Sequence, residues 1–132
     1  MDPAANRSRG TLSESIVHVF GGLAVADLAP ALSWYERLLG RPPDMRPHAQ
    51  EATWQLTATA SIYVVLDPAR AGRGLLTVII NDLDGFLTGP VGRGLMSDNR
   101  QGTAAEIRRA VFTDLDGNRL TFAELPPRPP SP

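Results

Sequence analysis

Val25-Ala26-Asp27-Leu28 returns 55 positions later as Ile80-Asn81-Asp82-Leu83. Each copy follows an apolar, β-rich run, Ile16 to Val25 and then Leu75 to Ile80. Each precedes a stretch able to start a helix, and each helical stretch ends near a glycine, Gly40 or Gly94. Self-similarity at a fixed offset marks one supersecondary unit used twice. Equivalent positions of the two copies are then expected to lie opposite one another, with function in the cleft between them.

Working outward, Asp27 is placed to cap a helix with Pro30 in its first turn, where a missing N–H is tolerated. Leu28, Leu32, Tyr35 and Leu39 form an apolar stripe with Leu38 beside it, and Trp34 is expected in the core. Gly40 and Pro42-Pro43 stop the helix. Three strand-like segments follow: Asp44 to Ala49, the weakest; Ala52 to Thr57, with Trp54 and Leu56 on one face; and Ser61 to Leu66, apolar enough to be buried on both faces. After the loop Asp67 to Gly74, the strand Leu75 to Ile80 opens the second copy, and Asp82 or Asp84 caps its helix. Gly85, Gly89-Pro90 and Gly92 argue against that helix. A short segment near Leu95 to Ser97 and the strands Ile107 to Thr113 and Arg119 to Glu124 complete the unit, with Asp116-Gly117 as a hairpin signal. The order is β-α-β-β-β twice, an α+β fold. Residues 1–14 read as a flexible arm, 15–125 as one domain of modules 15–70 and 71–125, and 126–132 as an extended Pro-rich tail.

The composition narrows the chemistry. The chain has 132 residues, 42 % of them hydrophobic and 20 % charged, which suits one globular domain. A net charge of −1 gives no footprint for nucleic acid or an anionic membrane, and no apolar run approaches a bilayer span. With no signal-peptide core either, a cytoplasmic location is expected. Cysteine is absent, so disulfides, thiolate nucleophiles and cysteine metal sites are excluded. All 13 basic residues are arginine, which excludes Schiff-base chemistry on a lysine.

The stretch from Val25 to Gly40, with Asp27, Leu28, Leu32, Trp34, Tyr35 and Leu38-Leu39, resembles the first-module signature of the vicinal oxygen chelate superfamily. That superfamily includes glyoxalase I, extradiol dioxygenases, fosfomycin-modifying enzymes and bleomycin-binding resistance proteins. Thr113 to Phe122 is similar to its closing signature, with Leu115 in place of the usual Pro, and Asp67 to Gly72 is similar to a linker of its small members. The resemblance covers about residues 16 to 125. It implies paired βαβββ modules curling around a cleft, and a homodimer, sometimes with modules exchanged between chains.

In metal-dependent members, four His, Glu or Gln ligands line the cleft, two from each module. The resemblance puts those positions at Phe20, Tyr63, Leu75 and Thr121. None of the four side chains offers the imidazole or carboxylate lone pairs such a site requires. His18, two residues before Phe20, has no carboxylate partner there and reads as a strand-end histidine. Asp114-x-Asp116-Gly-Asn118 hints at a calcium loop, yet a turn explains it and its glycine is misplaced for one. No cofactor and no metal are therefore expected.

What remains is an apolar, aromatic cleft surface: Phe20, Tyr63, Leu75 and Trp54, with the Thr121 hydroxyl. Glu106 and Arg108 share a strand face, and one of them is expected to supply a charged contact. This suits a flat, partly apolar small molecule held by stacking. Drug or metabolite sequestration is the favoured expectation. The alternative is a metal-independent isomerase or lyase using His48, Glu51, Asp98 or Glu106 for acid–base work.

Overall fold

The computed structural model describes residues 10–101 and 107–127. After a one-turn helix α1 (Leu12–Ser15) come β1 (Val19–Val25), α2 (Leu28–Leu39), β2 (Met45–His48), β3 (Glu51–Thr57) and β4 (Ala60–Leu66). The second module has β5 (Leu75–Ile79), α3 (Leu83–Gly92), β6 (Asp98–Gln101), β7 (Arg108–Thr113) and β8 (Arg119–Glu124). Each module forms a four-stranded sheet, ordered β1-β4-β3-β2 and β5-β8-β7-β6. The first strand of each runs parallel to the last, and the remaining pairs are antiparallel. The expected βαβββ repeat is present, and α1 adds a turn of helix across the boundary between the segment read as an arm (1–14) and the domain. No helix among the described residues is long and apolar enough to cross a membrane.

Helices α2 and α3 pack on one shared core. Trp34, Tyr35 and Leu38 of α2 join Leu83 and Leu87 of α3, Trp54, Ile62 and Val64 of the first sheet, and Phe112, Leu120 and Phe122 of the second. The buried stripe of α2 is Ala31, Trp34, Tyr35 and Leu38, with Leu28, Leu32 and Leu39 only flanking it. Helix α3 forms in spite of its glycines. Asp82 accepts from the Gly85 amide (3.0 Å) and Glu124 of β8 accepts from the Leu83 amide (2.8 Å). Two otherwise orphaned N–H groups of the first turn are thereby satisfied. Leu83, Leu87 and Pro90 are buried along one stripe, so tertiary packing overrides weak propensity. Asp27, expected as a cap, occupies the N-cap position of α2 but its side chain makes no capping bond.

The modules meet at equivalent positions. A methyl group built on Gly21 would stand 3.2 Å from Leu76, and residues 21 and 76 are 55 apart, the offset of the repeat. Contact between equivalent positions is what a two-fold relation between the modules requires. The junction is locked by the β7–β8 turn. Asp114 accepts from the amides of Asp116, Gly117 and Asn118, from Asn118 Nδ2 and from the Tyr35 hydroxyl of α2 (2.6 Å). Asn118 donates to the Ala24 carbonyl (2.7 Å) and accepts from the Gly74 amide (2.7 Å). The acids that hinted at a calcium loop are thus engaged in tying module to module.

Tyr35 is fully buried. Burial first, then its hydrogen bond to Asp114 and the charges of Asp114 and Asp116, hold its phenol far above the ordinary value near 10. The folded protein thus favours the neutral phenol. The stability this confers is complete below the unfolded-state value and is lost as pH rises beyond it. Stability is expected to fall by about 1.4 kcal/mol per pH unit above about pH 10 from this group alone. Urea midpoints followed between about pH 8 and 11 check this. Tyr35→Phe should start from a lower stability and show a shallower alkaline decline; an unchanged slope would contradict the role assigned to Tyr35.

Candidate functional site

In each sheet, alternation sends one set of side chains to the helix-covered core and the other to the outer face. Register sorts them in the second sheet. Leu75 lies beside Arg119 and Thr77 beside Thr121 on β5 and β8. Thr121 is opposite Val111, and Thr113 is opposite Arg119, across β7 and β8. These residues, with Arg109, share the outer face. Leu75, Thr77, Arg109, Val111, Arg119 and Thr121 line a concavity of about 410 Å³ there. Leu75 is 79 % exposed, a large apolar side chain with no cover from its own chain.

The outer face of the first sheet carries Phe20, Ser61, Tyr63 and Thr53. The Tyr63 ring lies over Gly22, where an added Cβ would stand 2.3 Å from the ring. Gly22 is thus what lets Tyr63 lie flat across β1. His18 sits 4.6 Å from Phe20, ring centre to ring centre, and its Nε2 is 2.7 Å from the Ser61 hydroxyl. A second, almost wholly apolar groove of about 250 Å³ runs along the module junction between Leu39, Leu56, Ile62, Leu76, Ile79 and Phe86.

The sequence-derived site residues are therefore distributed as follows. Leu75 and Thr121 come together in the concavity of the second sheet. Phe20 and Tyr63 occupy the corresponding face of the first sheet and do not line that concavity. Trp54 is not a cleft residue. It pairs with Ile62, faces the helices with 0 % exposure, and donates its indole N–H to the Arg41 carbonyl (2.9 Å). Arg108 also lies elsewhere. It is opposite Glu124, one residue out of phase with Thr121, and its guanidinium pairs with Asp84 of α3 (2.8 Å) and Glu124 (3.8 Å). The hydrogen bond to Asp84, followed by that carboxylate's charge, raises its pKa further. Glu106 lies outside the described residues. Arg109 and Arg119, which sequence reading missed, supply the charge at the concavity.

The acid–base candidates are scattered. His48 and Glu51 face one another at 3.7 Å on the β2–β3 hairpin, and Asp98 stands opposite Val111 on the edge strand β6. Among the described residues, no three of His, Asp and Glu gather as a metal ion would require. The positions that would hold a metal in the resembling family carry Phe20, Tyr63, Leu75 and Thr121, whose donor atoms do not fit one.

No family model and no curated protein matches the sequence. Solved structures do. A glyoxalase / bleomycin resistance protein from Catenulispora Acidiphila DSM 44928 is 38 % identical with a TM-score of 0.80, over 83 % of this chain and 99 % of that one. The chain belongs to the glyoxalase / bleomycin resistance protein family. Within the vicinal oxygen chelate superfamily, two further structures share the fold of this glyoxalase-like chain at lower identity. TnmS3, an antibiotic binding protein from Streptomyces sp. CB03234, is 24 % identical with a TM-score of 0.65, covering 84 % of this chain and 98 % of that one. A glyoxalase/ bleomycin resistance protein/ dioxygenase from Nocardioides is 16 % identical with a TM-score of 0.67, covering 97 % and 96 %.

Proposed function

We propose that this family member binds a small, partly aromatic molecule in its cleft without a metal, sequestering a drug or metabolite. The observation that carries the reading is the concavity over β5, β7 and β8, where an exposed apolar side chain, Leu75, stands beside the hydroxyls of Thr77 and Thr121. Its volume is within the range of small-molecule sites. The likeness to an antibiotic binding protein supports a binding role. Within one chain, His48 and Glu51 do not line this concavity.

The protein acts as a cytoplasmic homodimer in this reading. Phe20, Leu75 and Ile79 are each more than half exposed on the outer faces. Closing the Phe20–Tyr63 face of one chain over the Leu75–Thr121 face of its partner would cover them and give the ligand two walls. Burying such side chains contributes about 1.5–3 kcal/mol each. Light scattering after size exclusion is expected to give the dimer mass.

Calorimetric titration with a panel of planar aromatic compounds tests the binding. At least one compound is expected to bind with about micromolar affinity, equally well before and after exhaustive chelation. Leu75→Ala should weaken it by about tenfold, as the loss of one apolar contact surface implies. Heat that disappears on chelation would contradict the metal-free reading, and a panel without a binder would contradict the binding role.

A further inference from the structure

Two cations of the concavity have no partner among the described residues. Among the described residues, neither Arg109 nor Arg119 makes an ion pair or a side-chain hydrogen bond. Other arginines are engaged: Arg108 by Asp84 and Glu124, Arg41 by Asp44, Arg46 by the Ala49 and Glu51 carbonyls, and Arg93 by the Arg37 and Leu38 carbonyls. Arg37 and Arg73 likewise show no side-chain partner among the described residues, but they do not line the concavity, as Arg109 and Arg119 do. Among the described residues, the one carboxylate register puts on that face, Asp98, is exposed on the edge strand and pairs with neither.

Their spacing is informative. Arg109 is opposite Ala123 and Arg119 opposite Thr113, with the Val111–Thr121 pair midway. The two lie four positions apart along the strands, about 13 Å. Both line the same concavity, so they flank its middle from either end while Leu75 and Val111 give it an apolar floor. Guanidinium groups are planar forks that match carboxylate and phosphate oxygens. Two of them in one concave surface, without a counter-ion among the described residues, create a positive potential in a protein whose net charge is −1.

We infer that the ligand of this cleft is an organic anion, with a planar apolar body over Leu75 and Val111 and a carboxylate or phosphate held by Arg109 and Arg119. The inference rests on the small-molecule reading above and narrows it to a chemical class.

Calorimetry on the full chain with naphthoate, naphthyl phosphate and the neutral isostere naphthamide tests it. At low salt one of the anions is expected to bind about tenfold or more tightly than naphthamide, with the advantage shrinking as salt is added. The tighter of the two anions identifies the head group. Arg109→Met and Arg119→Met keep the apolar stem and should each cost the anion about fivefold or more, leaving naphthamide unchanged. Arg70→Met, in the exposed linker, should change neither. Equal affinity for anion and amide, or a preference that survives in the double variant, would overturn the inference while leaving small-molecule binding intact. Absence of binding by all three compounds would overturn the binding reading and this inference with it.

Discussion

Asp114→Ala is expected to lower the free energy of unfolding by about 3–5 kcal/mol. Asp114 is 6 % exposed, and its carboxylate gathers five donors: three backbone amides of its own turn, Asn118 Nδ2 and the Tyr35 hydroxyl. Alanine strands several of them where water cannot enter, and an unsatisfied buried donor costs about 1–3 kcal/mol. The Tyr35 bond also joins the first module's helix to the second module's turn, so the loss falls on the module junction. Asp114→Asn keeps one carbonyl acceptor and should cost about half as much. Leu115→Ala in the same turn, at a position 63 % exposed, should stay within about 0.5 kcal/mol. Urea unfolding of the three variants checks the order. An Asp114→Ala midpoint indistinguishable from that of Leu115→Ala would refute the lock.

Trp54→Ala is expected to cost about 3–5 kcal/mol, as truncation of a buried aromatic does. The side chain is 0 % exposed, pairs with Ile62 across the sheet, and has its indole ring centre 6.1 Å from that of Tyr35. Trp54→Phe retains most of the volume but drops the bond to the Arg41 carbonyl, and should cost about 1–2 kcal/mol. Because Trp54 faces the helices, the Phe variant should bind cleft ligands with unchanged affinity. A large affinity loss with little change in stability would return Trp54 to the cleft wall.

The fold was legible in the repeated phrase, because 55 residues separate positions that meet in space, Gly21 and Leu76 among them. The site was legible only in part. Alternation has a period of two, so a strand read one residue out of phase exchanges its faces. Arg108 was selected on such a reading. The hairpin around Asp116-Gly117 fixes the phase: with Thr113 opposite Arg119, Val111 meets Thr121 and Arg109 shares its face. That count was available from the sequence and would have found Arg109. Trp54 was less accessible, since alternation fits either face and only the helices beneath the sheet decide. Helix α3 was doubted on propensity, but its strength comes from the acceptors Asp82 and Glu124 and the burial of Leu83, Leu87 and Pro90. Glu124 lies 41 positions from the Leu83 amide it caps, which no local pattern reveals. Strand order within each sheet, with the first strand parallel to the last, likewise depends on long-range pairing.

Both tryptophans lie on the core side, so their fluorescence is a poor reporter of the cleft. Amide NMR is more direct. Titrating the isotope-labelled, metal-free protein with naphthoate should shift the resonances of Leu75, Thr77, Val111 and Thr121, saturating with the calorimetric affinity, while those around Trp34 and Trp54 stay fixed. Shifts confined to other surfaces, or none in this group at saturation, would contradict the claim that the second sheet's concave face is where this protein holds its ligand.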